Sequence, residues 1–290
     1  MRLAFLGTPE AAVVVLNALL DAGHDVAVVV TRPDRRRGRG PAVTPSPVAR
    51  AARERGLAVV HRVADLAGYD VERGVVVAYG AMIPASVLAR TPMLNVHFSL
   101  LPRWRGAAPV ERAILAGDGV TGVSIMTLEA TLDTGPVHLE RRVALDTRTV
   151  SELTDELAHV GAQALLDVLA STDLLGSPAP QVGPATYAEK VTSETLHLTP
   201  SMSSELLART VRLERAYLLV GGRRLAVRRA HVVAVPEGAA SIVTRLGDDV
   251  IAVGERAALA LDEVRPEGSR SMSGVAWWAV ARWSEPPRWA

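Results

Sequence analysis

The sequence predicts an α/β domain built on an open, mostly parallel sheet, followed by a smaller C-terminal β-barrel domain. Three observations carry this expectation. Short Val-rich runs alternate with helical segments as far as Ala170, the pattern of a sheet covered by helices. A stretch rich in Ser, Gly and Pro, Ser171–Tyr187, then interrupts the alternation and reads as a linker. Beyond it, short strand-like runs are separated by turn signals such as Gly221-Gly222 and Gly247-Asp248-Asp249, the spacing of a small barrel.

The elements follow in order. Arg2–Gly7 is a short apolar strand. Gly7-Thr8-Pro9 is a turn, and Pro9 suits the first position of a helix running to Ala22. Val26–Thr31 is a continuous Val-rich run of the kind buried on both faces of a parallel sheet. Arg32–Pro47 is a loop rich in Pro, Gly and Arg. Pro47–Arg55 is helical and Gly56 ends it; Leu57–His61 and Gly74–Tyr79 are strands, and Pro84–Arg90 is a short helix. Met93–Phe98 is the next strand, followed by a loop and a helix over Ala107–Ala116. Thr121–Leu128 is a strand, Val137–Leu145 an antiparallel edge strand, and Thr149–Ala170 a long amphipathic helix. In the second part, Ser201–Val211 is one helix. Tyr217–Gly221, Arg224–Val235, Ala240–Leu246, Val250–Val253 and Ala257–Val264 are strands. The expected division is a domain over 1–175, a linker over 176–201 and a second domain over 202–290.

Composition narrows the function classes. Apolar residues make up 49% of the 290 residues, enough for a real core. The net charge of +1 does not announce a nucleic-acid binder, so any such role must rest on local patches. Lys190 is the single lysine among 32 basic residues; the excess of Arg reads as coding bias, and Arg clusters are discounted accordingly. The absence of cysteine excludes disulfides, cysteine nucleophiles and thiolate zinc sites, and accords with a cytoplasmic location. Met1–Glu10 is too short for a signal peptide, and no run approaches a membrane span. Nothing suggests an obligate partner, so a monomer is expected.

The chemistry concentrates in two segments. Residues 95–109 read Asn-Val-His-Phe-Ser-Leu-Leu-Pro-Arg-Trp-Arg-Gly-Ala-Ala-Pro, and residues 132–136 read Leu-Asp-Thr-Gly-Pro. Side chains alternate faces along a strand, so Asn95 and His97 share one face and Val96 takes the other. A polar pair on one face of an apolar strand is hard to explain by packing, because buried polar groups need partners. Asp133 adds a carboxylate to the same candidate pocket. One imidazole and one carboxylate are too few ligands for zinc, so no metal is expected. Gly7-Thr8-Pro9 lacks the glycine spacing of a dinucleotide site.

These segments resemble the folate-dependent formyltransferase family. Phe5-Leu6-Gly7-Thr8-Pro9-Glu10, Thr31-Arg32-Pro33-Asp34-Arg35, Val77-Ala78-Tyr79-Gly80, Ile83-Pro84 and Thr121–Met126 resemble further blocks of it. So do Tyr187-Ala188-Glu189-Lys190 and Glu263–Gly268. Departures are Pro41 and Ala42, where many relatives carry lysines, and the tail tryptophans Trp277, Trp278, Trp283 and Trp289. The resemblance implies a Rossmann-like catalytic domain with an OB-like barrel. It implies formyl transfer from 10-formyltetrahydrofolate to an amine, here the α-amino group of methionyl initiator tRNA in translation initiation. The Arg32–Pro47 loop and the separate barrel favour that acceptor over a small amine such as an amino sugar or glycinamide ribonucleotide. A hydrolase releasing formate and a non-catalytic RNA-binding protein are the further readings.

By the same resemblance, Asn95 would donate to the formyl oxygen, His97 would bond that oxygen or relay a proton, and Asp133 would orient His97. Met82 and Ile83, the loop Ser99, Leu100, Leu101 and Pro102, and Glu129 to Asp133 would hold the folate. For tRNA, Arg39 lies between Gly38 and Gly40, which let it reach a phosphate or base; Arg35 belongs to the same loop. Arg103 and Arg105 flank the site beside Trp104, and phosphate contact and loop packing both remain open for them. Arg223 and Arg224, with Arg228 and Arg229, sit on one barrel hairpin and could bind RNA phosphates.

Overall fold

The Val-rich runs become strands because β-branched side chains suit a pleated surface covered on both sides. The computed structural model describes residues 1–36, 43–235, 241–283 and 285–290. The chain forms two compact units: one of Met1–Val110, Gly119–Ala144 and Leu153–Glu189, the other of Glu111–Asp118, Leu145–Glu152 and Lys190–Ala290.

The first half runs β1 (Arg2–Gly7), α1 (Glu10–Asp21), β2 (Asp25–Val30), β3 (Arg35–Arg36), β4 (Val43–Thr44), α2 (Pro47–Glu54) and β5 (Val59–Val60). It continues with β6 (Arg73–Val77), α3 (Ala85–Leu88), β7 (Met93–His97), β8 (Arg105–Gly106), α4 (Pro109–Ala116), β9 (Val120–Thr127) and β10 (Val137–Ala144). Then come α5 (Val150–Ala170), α6 (Thr172–Gly176) and β11 (Tyr187–Ala188). The main sheet has the order β10-β9-β7-β6-β1-β2-β5. β5, β2, β1, β6 and β7 are parallel, and at one side β9 runs antiparallel to both β7 and the edge strand β10. The mostly parallel sheet and its antiparallel edge are as the sequence predicts. Pro9 is the N-cap of α1 rather than its first helical residue, in extended conformation. Ser46 caps α2 by accepting from Ala49 N, and its hydroxyl pairs with that of Thr31 at 2.7 Å.

The segment Ser171–Tyr187, which reads as a linker in the sequence, carries local structure from its start to its end. Thr172–Gly176 is helical, Ala179 bridges Val137 at the sheet edge, and Tyr187–Ala188 pairs in parallel with β8. Local composition missed this, because the segment is held by backbone hydrogen bonds rather than by a periodic apolar face.

The second half adds α7 (Ser204–Val211), β12 (Tyr217–Val220), β13 (Arg223–Val233), β14 (Ile242–Leu246), β15 (Asp249–Val253), β16 (Ala258–Pro266), β17 (Met272–Ser273) and α8 (Gly274–Ala281). Its antiparallel sheet has the order β12-β13-β16-β15-β14, with β17 on β16. Ala240, at the start of one expected strand, lies outside the described residues. The chain terminus closes this sheet. Val243 N donates to Pro287 O and Trp289 N to Ser241 O on one side, while Leu219 and Ala290 exchange backbone bonds on the other. The result is a barrel of OB-like type, without the two open edges that a flat sheet would leave. The tail tryptophans find their place here. Trp289 is 3% exposed and its indole N–H donates to Val253 O at 2.7 Å. Trp277 packs edge-on against Trp278 and Trp283 in the same core.

Candidate active site

β7 is buried along its whole length and pairs with β6 and β9; Asn95 lies opposite Val76 and Met126, and His97 opposite Ser124. Val96 faces the other way, against Gly161 of α5. Asn95 and His97 therefore share the face that the strand period assigns them. They lie toward the carboxyl end of a parallel strand, where open α/β sheets bind ligands.

Three polar residues meet there in nearly complete burial: Asn95 is 8% exposed, His97 5% and Asp133 6%. His97 Nε2 lies 2.9 Å from Trp104 O. A carbonyl only accepts, so Nε2 carries the hydrogen in this arrangement. His97 Nδ1 faces Asp133 Oδ2 at 3.7 Å, ion-pair range but too long for a direct hydrogen bond. The same Oδ2 accepts from Gly106 N at 2.7 Å. No hydrogen bond engages the Asn95 side-chain amide among the described residues, which leaves it a donor for a ligand.

Asp133 has φ +50°, a region non-glycine residues seldom occupy and one that clusters at functional sites. Two residues on, Gly135 is required by crowding: a Cβ there would lie 1.9 Å from Thr127 O. The Asp-Thr-Gly turn thus presses against the end of β9 and presents Asp133 toward His97.

The loop after β7 is fixed by serine hydroxyls. Ser99 is fully buried and donates to Arg103 O at 2.6 Å. Ser124 on β9 donates to Ser99 O at 2.7 Å and accepts from Leu101 N at 3.1 Å. The Leu101-Pro102 peptide is cis. Leu101 is buried, and Leu100 and Pro102 are half-buried. Ile83 belongs to a core cluster with Ala4, Leu6 and Tyr79, so only its backbone is available to a ligand, while Met82 is 68% exposed. Glu129 is exposed and accepts from the Thr134 hydroxyl at 3.3 Å. Burial raises the Tyr79 phenol above its ordinary pKa, against the opposing effect of Arg32.

Gln181 and Thr186 escaped the sequence reading because they lie in the segment read as linker. Gln181 Nε2 donates to Asp133 O at 2.8 Å and to Gly135 O at 2.9 Å, while its Oε1 accepts from Arg105 Nε and Nη2 at 3.0 and 2.6 Å. Thr186 Oγ1 accepts from Trp104 N at 2.9 Å. Gln181, directly after Pro178-Ala179-Pro180, offers no periodic signal by which it could have been found.

The arginines expected at tRNA divide by environment. Arg105 is tied to Gln181, which favours loop packing for its side chain. Arg103 lies over the Trp104 ring at 4.4 Å, and Arg224 over the Tyr217 ring at 3.7 Å. Arg223 is exposed at the start of β13. Arg35 opens the two-residue ladder of β3 with β4, and Arg39 lies outside the described residues. Among the described residues, no group of three or more His, Cys, Asp or Glu is arranged to hold a metal ion, and no helix is long and apolar enough to cross a membrane.

The chain is 38% identical over 299 residues to a methionyl-tRNA formyltransferase of Jannaschia sp., covering 97% of each. It is 50% identical over 204 residues to a methionyl-tRNA formyltransferase of Rhizorhabdus wittichii, covering 66% of this chain and 65% of that one. Among solved structures, HypX from Aquifex aeolicus in complex with tetrahydrofolic acid superposes with a TM-score of 0.71 at 16% identity, covering 96% of this chain and 46% of that one; this likeness shows the fold alone. The family described as formyl transferase matches residues 1–169. That span holds β7 and the Asp-Thr-Gly turn, and by it the chain belongs to the formyl transferase family.

Proposed function

We propose that this chain moves the formyl group of 10-formyltetrahydrofolate to the α-amino group of methionine on initiator tRNA, as a cytoplasmic monomer serving translation initiation. The observation that carries this reading is the extent of the likeness: relatives named methionyl-tRNA formyltransferase match along 97% of the chain, barrel included.

The reaction is acyl transfer. The neutral amine attacks the formyl carbon, a C–N bond forms, and the bond from that carbon to N10 breaks. The amine loses a proton and N10 gains one. An α-amino group of ordinary pKa, about 7.7–8.0, is already partly neutral at physiological pH, so its activation asks little of the protein. The larger need is to stabilise the oxyanion of the tetrahedral intermediate. Asn95 donates its amide N–H to that oxygen; such a donor acts strongly in a buried, water-poor site. His97 bonds the same oxygen or carries the proton between the nitrogens. Asp133 orients His97. The folate lies along the backbone of Ser99, Leu100, Leu101 and Pro102, near Met82 and Ile83, and against the turn from Glu129 to Asp133. Arg35 and Arg39, with Arg103, Arg223 and Arg224, contact tRNA.

Purified protein, 10-formyltetrahydrofolate and charged tRNA test the reading. Formylation of methionyl initiator tRNA, with little on elongator tRNA and no formate released without tRNA, is the expected result. Formate release without tRNA, or transfer to an amino sugar only, would overturn it.

A further inference from the structure

We infer that Gln181 and Thr186 are positioning residues that set the relative placement of His97 and Asp133, an inference resting on the roles proposed above for that pair. Residues 179–188 form a strap laid across both catalytic loops. The strap touches one loop at Pro102, Trp104 and Arg105. Thr186 N donates to Pro102 O, Trp104 N to Thr186 Oγ1, and Arg105 N to Thr186 O. It touches the other loop at Asp133, Gly135 and Val137. Ala188 O accepts from both Ala107 N and Ala108 N. Gly106 is glycine for the same reason: its φ is +122°, and a Cβ would lie 2.9 Å from Ala188 O.

Each catalytic partner depends on one strap side chain through a residue of left-handed backbone. Trp104, at φ +61°, presents the carbonyl that accepts from His97, and its N–H is held by the Thr186 hydroxyl. Asp133, at φ +50°, is held at its carbonyl by the Gln181 amide. Left-handed residues other than glycine persist where their surroundings over-determine them, and these two hydrogen bonds do so. The amide orientation of Gln181 is unambiguous. Its nitrogen meets two carbonyls and its oxygen meets a guanidinium, so the flipped form would oppose acceptor to acceptor and donor to donor.

The test compares variants that separate the contacts. Gln181→Met removes all of them. Gln181→Glu keeps an acceptor for Arg105 but loses the donors to Asp133 O and Gly135 O. Thr186→Val removes the hydroxyl, and Thr186→Ser restores it. Each variant is assayed for kcat, for KM of donor and acceptor, and for thermal midpoint. The imidazole of His97 is titrated by NMR without substrates; Asp133 is the ionisable group facing it. Gln181→Met and Gln181→Glu should both lower kcat, on the order of tenfold to a hundredfold, with both KM values changed far less, as misplacement of reacting groups does. Gln181→Met should also displace the His97 titration, and Thr186→Ser should recover what Thr186→Val loses. Recovery of wild-type kcat by Gln181→Glu would overturn the inference, since the Arg105 contact alone would then suffice. So would an unmoved His97 titration in Gln181→Met. That titration needs no acceptor, so it decides the inference even where tRNA proves not to be the substrate.

Discussion

Buried polar groups are distributed unequally between the two units. Among the described residues, the α/β unit buries Asn95, His97 and Asp133, together with Ser99, Ser124, Thr31, Ser46, Thr121 and His138. Among the described residues of the barrel unit, the buried polar groups are the Thr210 hydroxyl, which bonds back to Leu206 O within its own helix, and the indole N–H groups of Trp289 and Trp283. Burying a polar group is unfavourable unless it finds a partner, and a fold that needs only stability has little reason to collect such groups at one place. In the α/β unit three of these residues, Asn95, His97 and Asp133, meet at the proposed site. The barrel has an apolar core, completed by tryptophans, and carries Arg223 and Arg224 on its exposed surface. Substitutions at the buried polar cluster should therefore act on turnover, and substitutions in the barrel core on stability.

The largest expected effect is at the cluster. His97→Ala or Asp133→Asn should lower kcat by about 10²–10⁴, the range for a positioned acid–base group, with thermal midpoint and tRNA affinity retained. Loss of folding in both variants would erase the contrast between the units. A smaller effect, on a different axis, is expected in the barrel. Trp289→Ala removes a buried indole that bonds Val253 O, and urea titration should show about 3–5 kcal/mol of destabilisation, as for other large-to-small core changes. Trp289→Phe should cost less, since the ring is kept and one hydrogen bond is lost. An unchanged midpoint in Trp289→Ala would show that the closing segment is dispensable.

The smallest effect sharpens the comparison within the α/β unit, at a buried polar residue away from the catalytic cluster. His138 Nδ1–H donates to Leu174 O at 2.8 Å and Nε2 accepts from the Thr127 hydroxyl at 2.8 Å, the pattern of a neutral imidazole. Burial lowers its pKa from the ordinary value. The unfolded state therefore takes up this proton first as pH falls, so stability should rise with pH between the depressed folded value and about 6.5, and level off above. His24, lowered in the same sense by burial, adds to the slope. Denaturant titrations across that window should show a shallower slope in His138→Gln than in the parent. An equal slope would mean that His138 is not held neutral.

How much of this was legible in the sequence depends on the range of the interactions involved. Asn95 and His97 could be paired because strand periodicity is local; Asp-Thr-Gly-Pro by itself marks only a turn, and the pairing of Asp133 with His97 came from the family resemblance. The barrel strands were visible through their turn signals. The closing segment was not: Arg288 and Trp289 each make one bridge to a strand distant in sequence, too short to impose alternation. Gln181 was hidden for the same reason. Its role lies in bonds to Asp133 and Arg105, dozens of residues away, and the run around it has the composition of a loop.

The central claim is that the buried cluster performs formyl transfer, and Asn95 tests it most directly because its amide is left to the substrate. Single-turnover formylation of methionyl initiator tRNA should be measured for the wild type and Asn95→Ala, with folate affinity determined on the same samples. The account predicts a rate lower by about 10²–10³, the usual loss for one oxyanion donor, with folate affinity unchanged. A retained rate, or a loss wholly explained by weaker folate binding, would contradict it.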